Sequence, residues 1–192
     1  MVQVEIINIG DELLIGQVVN TNASQMAQKL NSYGFNVLAT SVIGDSGNQI
    51  RESLDIALKR ADCVLITGGL GPTKDDITKK ILAEYFERGL IINKEVEQHV
   101  KSYFTRKQLP FTETNRAQAL VPEKCKVIFN PVGTAPGMCF EKNGKLIVSM
   151  PGVPFEMRLM MEKVIEIMQN FFNLRTKILH KTILYANIGE SF

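Results

Sequence analysis

Asp75 and Asp76 close a glycine-rich run, Gly68-Gly69-Leu70-Gly71-Pro72-Thr73-Lys74, and this order of residue types points to phosphate chemistry carried by a metal. Glycines let bare backbone approach a ligand, and the free amides of a helix's first turn attract anions. Two carboxylates in the same place repel a phosphate unless a cation lies between them, so the economical reading is a metal-assisted phosphate site. The competing reading is an ordinary tight turn, with Thr73 as a helix N-cap and the aspartates favoured by the macrodipole. An apolar run at 63–66 precedes the glycines, and Ile77, Ile81, Leu82, Tyr85 and Phe86 follow at helical spacing. The order is therefore strand, turn, helix.

Two further strand ends carry acids: Asp11 and Glu12 after an apolar run at 2–9, and Asp45 after another at 35–43. In open α/β sheets ligands bind beyond the carboxyl ends of the strands. The turns at 131–137 and 150–154, rich in glycine and proline, are expected to close the same edge. No Ser-His-Asp or Cys-His set is available; His99 and His180 read as packed or solvated. Metal-activated water is the mechanism this inventory leaves.

The elements that must position these groups follow from periodicity. Ala23, Met26, Ala27 and Leu30 mark a helix, with Asn20, Thr21 or Asn22 as cap and Gly34 as stop; Ile50, Leu54, Ala57 and Leu58 mark the next. Strands alternating with single helices predict right-handed crossovers and a parallel sheet covered on both faces. Val96, Val100, Tyr103 and Phe104 predict another helix, and a short one is expected near 115–120. Asn143-Gly144 predicts a hairpin joining runs at 137–140 and 146–149. Phe155, Leu159, Met160, Val164, Ile167 and Met168 share one face of a further helix, where methionine reads as core filling. A last strand is expected at 177–185. The chain thus divides into a domain at 1–172 and the start of a truncated second small domain at 173–192.

The whole chain narrows the class. With 45% hydrophobic and 22% charged residues among 192, it has the composition of a globular domain with a real core. Net charge is only +2 and no basic stripe interleaves with aromatics, so nucleic acid is not an expected partner. No leader-like amino terminus and no apolar run of membrane-spanning length are found, so no membrane partner is expected. Cys63, Cys125 and Cys139 lack zinc spacing and read as core thiols of a cytoplasmic protein.

The sequence GDELLIGQ at 10–17 with Asn20-Thr21-Asn22, GGLGPTKDDIT at 68–78, GTAPG at 133–137 and PGVPFEM at 151–157 together resemble the CinA (competence/damage-inducible) family over roughly 1–170. The resemblance implies a three-layer α/β/α domain similar to MoaB and MogA, with a mostly parallel sheet plus an antiparallel hairpin. It also implies a homodimer that hydrolyses ADP-ribose to AMP and ribose 5-phosphate with a divalent metal of the Mg, Mn or Co class, aided in some members by potassium. Asp45, Asp75 and Asp76 would then hold the cation, with Glu12 a ligand or general base. Gly68, Gly69, Gly71, Pro72 and Thr73 would cradle phosphates. Asn115 would hydrogen-bond substrate, and Gly133, Thr134, Pro136, Gly137, Gly152 and Pro154 would wall the pocket. The nicotinamide mononucleotide deamidase domain of full-length CinA proteins is not expected in this chain. The alternatives are a molybdopterin-handling or nucleotidyl-transfer enzyme, and a nucleotide-sensing module without turnover.

Overall fold

Four short apolar runs, each with its acids or glycines displaced to one end, build a sheet whose strands mostly run the same way. The computed structural model describes residues 1–73, 76–175 and 178. Strands β1 (Gln3–Ile9), β2 (Asn36–Ile43), β3 (Cys63–Thr67), β6 (Lys126–Ile128), β7 (Gly137–Lys142) and β8 (Lys145–Met150) form one six-stranded sheet. Their order is β2-β1-β3-β8-β7-β6. β1 pairs in parallel with β2 and with β3, and β3 in parallel with β8. β7 runs antiparallel to both β8 and β6. Asn143 and Gly144 turn the β7–β8 hairpin with φ of 53° and 75°, the pair of positive angles that favours Asn-Gly.

Helices cover both faces. On one, α2 (Thr21–Ser32) and α7 (Pro154–Phe172) bury Met26, Leu30, Met157, Met160, Met161 and Met168 against Val4, Ile6, Cys63 and Leu65. The methionines are core, as their spacing predicts. On the other, α3 (Gly47–Arg60) and α4 (Thr78–Tyr85) bury Ile50, Leu54, Ile81 and Leu82 against Ile7, Ile9, Val64 and Ile66. Each fully buried side chain of this size contributes about 1.5–3 kcal/mol. Asn20 caps α2 by accepting from the Ala23 amide at 3.1 Å, and Gly34, at φ 79°, ends it.

A smaller lobe carries α5 (Lys94–Arg106), α6 (Glu113–Arg116), a 3-10 turn at Ala117–Ala119, and the two-stranded pair β4 (Leu90–Ile92) and β5 (Leu120–Pro122). Lys79 fastens it to α4, donating to the carbonyls of Ala117 and Gln118 at 3.4 and 3.2 Å. Burial lowers the Lys79 pKa to about 8. Cys63 and Cys139 are buried and Cys125 half-buried, all as free thiols. Burial pushes the Cys125 and Cys139 thiols up to about 11 and about 12, which keeps them inert. Among the described residues no helix is long and apolar enough to cross a membrane. The expected strand at 177–185 lies outside the described residues except for residue 178, and most of the second-domain segment lies outside them with it.

Candidate functional site

The chain leaves β1 for β2 on one side and returns to β3 on the other, so the carboxyl ends of β1 and β3 form a topological switch point. A cleft of about 540 Å³ opens there, within the range of small-molecule sites. Glu12, in the short helix α1 (Asp11–Leu14), lines it together with Asp45, Gly68, Gly69, Gly71, Pro72, Asp76, Thr134, Gly152 and Pro154. Three acidic strand ends do converge. Asp45 and Asp11 hold one another reciprocally: the Asp11 amide donates to Asp45 Oδ2 at 3.1 Å and the Asp45 amide to Asp11 Oδ1 at 3.2 Å. Burial raises the Asp45 pKa, opposed by the Asp11 amide and reinforced by the charges of Asp11, Glu12 and Asp76. A carboxylate in that position is electrostatically crowded, and a cation would relieve it.

The glycine turn differs from expectation in one respect. α4 begins at Thr78 and its N-cap, Ile77, makes no side-chain cap bond, so Thr73 is not the cap. Asp76 precedes the helix and folds back, accepting from the Gly71 amide at 2.8 Å, the Thr73 amide at 2.9 Å and Thr73 Oγ1 at 2.5 Å. Donors expected to cradle a phosphate are thus engaged by a carboxylate of their own loop. The helix starts that do line the cleft are those of α1, through Gly10 and Glu12, and of α7, through Pro154 and Glu156. Asp75 lies outside the described residues.

Some expected residues do not line the cleft. Asn115 closes a capping box, accepting from the Thr112 amide and hydroxyl at 2.9 and 2.7 Å at the start of α6. Gly137 belongs to β7 and lies under the Met160 side chain, Pro136 is buried beside it, and Gly133 is buried behind the wall. His99 is packed, with Nε2 3.2 Å from the Gly133 carbonyl oxygen and its ring against Phe129. Sequence reasoning missed Glu156, Val18 and the buried Asn130 that holds Glu156. The signal for Glu156 was its place in the first turn after Pro154.

Among the described lining residues there are four carboxylates, Glu12, Asp45, Asp76 and Glu156, and no lysine, arginine or histidine. No three His, Cys, Asp or Glu side chains among the described residues are close enough to cage a metal. The described lining donors are carboxylate oxygens, the ligand type that hard cations take, and they form no closed protein cage.

The fold and this edge place the domain in a known class. Residues 5–170 match the family model described as a probable molybdopterin binding domain. The tungsten cofactor synthesizing protein MoaB from Pyrococcus furiosus superposes with a TM-score of 0.60 over 92% of this chain and 98% of its own, at 17% identity, a likeness of fold. The chain belongs to the CinA family. A CinA-like protein from Flavobacterium psychrophilum is 48% identical over 97% of this chain, which corresponds to 45% of that relative. The protein CinA of Thermoplasma acidophilum superposes with a TM-score of 0.76 at 36% identity, covering 85% of this chain and 97% of its own. This chain spans about half the length of the curated relatives it matches.

Proposed function

We propose that the cleft handles a phosphorylated small molecule that carries a heterocycle and arrives as its divalent-metal complex. One observation carries this reading: four carboxylates and no cationic side chain among the described residues of a cleft at the strand ends. An unaccompanied phosphate would be repelled there, whereas a metal complex brings its own neutralising charge. The family description favours a molybdopterin-type ligand, and this is the reading that the comparisons support more directly.

Hydrolysis of ADP-ribose, implied by the resemblance to CinA proteins, is the second reading, and Asp45 is the observation that favours it. A carboxylate crowded by burial and by the charges of Asp11, Glu12 and Asp76 is the one a bound cation would relieve most. A bound divalent cation would neutralise phosphate charge and acidify water. Asp45 and Asp76, with Asp75 by its sequence position, are the groups proposed to hold it, and Glu12 beside them is a ligand or base. Gly68 and Gly69 would face the phosphate as part of the cleft wall.

Two measurements decide between the readings. Mass spectrometry of ADP-ribose incubated with the protein, with and without divalent metal and potassium, should show AMP and ribose 5-phosphate over many turnovers if the hydrolase reading holds. Metal-dependent binding of a pterin phosphate with no AMP formed would select the molybdopterin reading. Metal-enhanced nucleotide binding without product would mark a sensor.

A further inference from the structure

Asn130 is 1% exposed and commits its whole side chain. Its Oδ1 accepts from the amides of Val132 and Gly133 at 3.2 and 2.9 Å, and its Nδ2 donates to the Ala135 carbonyl at 3.2 Å and to Glu156 Oε2 at 2.7 Å. One buried amide therefore fixes the 131–135 turn and the Glu156 carboxylate together, and the two backbone donors at Oδ1 settle which way the amide points. Gly133 makes the arrangement sterically feasible. A Cβ there would stand 2.5 Å from Glu156 Oε1 and 2.6 Å from Asn130 Nδ2. Glu156 lies in the first turn of α7, so its carboxylate is carried on a rigid element at the mouth of the cleft.

Its position separates it from the other acids. Asp45, after β2, is raised by burial and by the charges of Asp11 and Glu12 after β1 and of Asp76 after β3, whereas Glu156 enters the cleft from the β8–α7 side. With a neutral amide on one oxygen, the carboxylate keeps Oε1 and a lone pair of Oε2 for further donors. Phosphates at neutral pH offer no such donors and are repelled. Adjacent neutral donors, two O–H or two N–H groups, match a carboxylate's paired oxygens.

We propose that Glu156, held by Asn130 as its positioning residue, is the specificity-determining acceptor of the cleft. It would take a neutral donor pair of the ligand, either vicinal ribose hydroxyls or the neighbouring N–H groups of a pterin ring. It thereby directs the phosphate end toward Asp45 and Asp76. This inference rests on the metal-complexed phosphate reading of the cleft.

The test is Glu156→Gln, which keeps the shape, with Glu156→Asp as a second variant that shortens the reach. Circular dichroism checks the fold. For magnesium–ADP-ribose, KM or calorimetric Kd should rise roughly 10- to 100-fold, the size of lost hydrogen bonds to a charged group. The value of kcat and the metal concentration for half-maximal activity should stay within about threefold. An ADP-ribose analogue lacking ribose vicinal hydroxyls should bind more weakly to the parent but equally to both forms of the protein if the ribose is the donor. A pterin phosphate followed by fluorescence should lose affinity in the variant if the pterin is. A Glu156→Gln protein with KM unchanged and kcat or metal requirement shifted would overturn the inference and make Glu156 a metal ligand or base. Unchanged binding of ADP-ribose and of pterin phosphate in both variants would overturn the inference while leaving the reading of the cleft intact. Pterin binding that depends on Glu156, with no turnover of ADP-ribose, would reject the hydrolase and keep the inference. Binding of neither ligand to the parent overturns both.

Discussion

Replacing Gly68 by alanine should loosen the switch point more than any other single methyl added at this edge. Gly68 has φ of 110°, which a side chain disfavours, and a Cβ would stand 3.0 Å from the Ile9 carbonyl carbon and nearer still to its oxygen. Retreat is blocked, because the Gly68 amide donates to the Met150 carbonyl at 3.1 Å and Gly152 packs from the far side. The backbone conformation costs about 1–3 kcal/mol. Pushing β1 and β3 apart adds about 1–3 kcal/mol more. A total of about 2–6 kcal/mol is a large share of the ~5–15 kcal/mol that holds a domain together. With a urea dependence near ~2 kcal/mol per M, the unfolding midpoint should fall by roughly 1–3 M. Two controls separate the contributions. Gly144→Ala, at φ 75° with nothing within 4 Å, reads the conformational part alone. Gly152→Ala, whose Cβ would meet Gly68 Cα at 3.3 Å, reads the crowding alone and should cost under about 1 kcal/mol. A Gly68→Ala protein no less stable than Gly144→Ala would refute the steric argument.

Asp76→Asn should lower metal-dependent turnover by at least ~10²-fold if the cation is held there; an unchanged rate with an intact circular dichroism spectrum would remove Asp76 from the site, and the same comparison applies to Asp75→Asn. Lys79 gives a pH signature: folded it releases its proton near 8, against an ordinary 10.5, so between these values the unfolded chain binds more protons and stability rises with pH. Below about pH 8 both states are protonated and the burial cost is fully present. The Lys79→Met protein should lack that rise, and equal slopes of urea-derived stability from pH 7.5 to 10 would exclude it. Met160→Ala, at a site 1% exposed, should cost about 2–5 kcal/mol in the same denaturation assay.

Legibility in the sequence followed the length and burial of each segment. β1, β3 and β8 were readable because they are mostly apolar runs buried on both faces, and the hairpin because Asn143-Gly144 specifies its own turn. β4 and β5 were not, being three residues each, with Leu90, Ile91 and Ile92 all exposed. The start of α4 was placed too early because Asp76 bonds to Gly71 and Thr73 as a cap would, but from outside the helix. Asn115 was given to the substrate although the Thr112–Asn115 spacing is that of a local cap. At the site, acids at strand ends were legible because the fold class dictates where strands finish. The Asn130–Glu156 bond joins residues 26 positions apart, and no local pattern announces it.

The wiring of the cleft also fixes when it can exist. Thr67 Oγ1 donates to the Pro151 carbonyl at 2.8 Å across 84 positions, and Asn22 Nδ2 to the Gly152 carbonyl at 2.8 Å across 130. Closing loops of that length and pairing β3 with β8 in parallel are slow events that come after local helices form. Without β8 in place the three acidic strand ends have no opposite wall, so the binding site is complete only in the folded domain. A ligand of the cleft therefore reports on the complete fold and on nothing short of it. It should leave the early refolding rate untouched, register only once the β3–β8 register is made, and then act almost wholly by slowing unfolding.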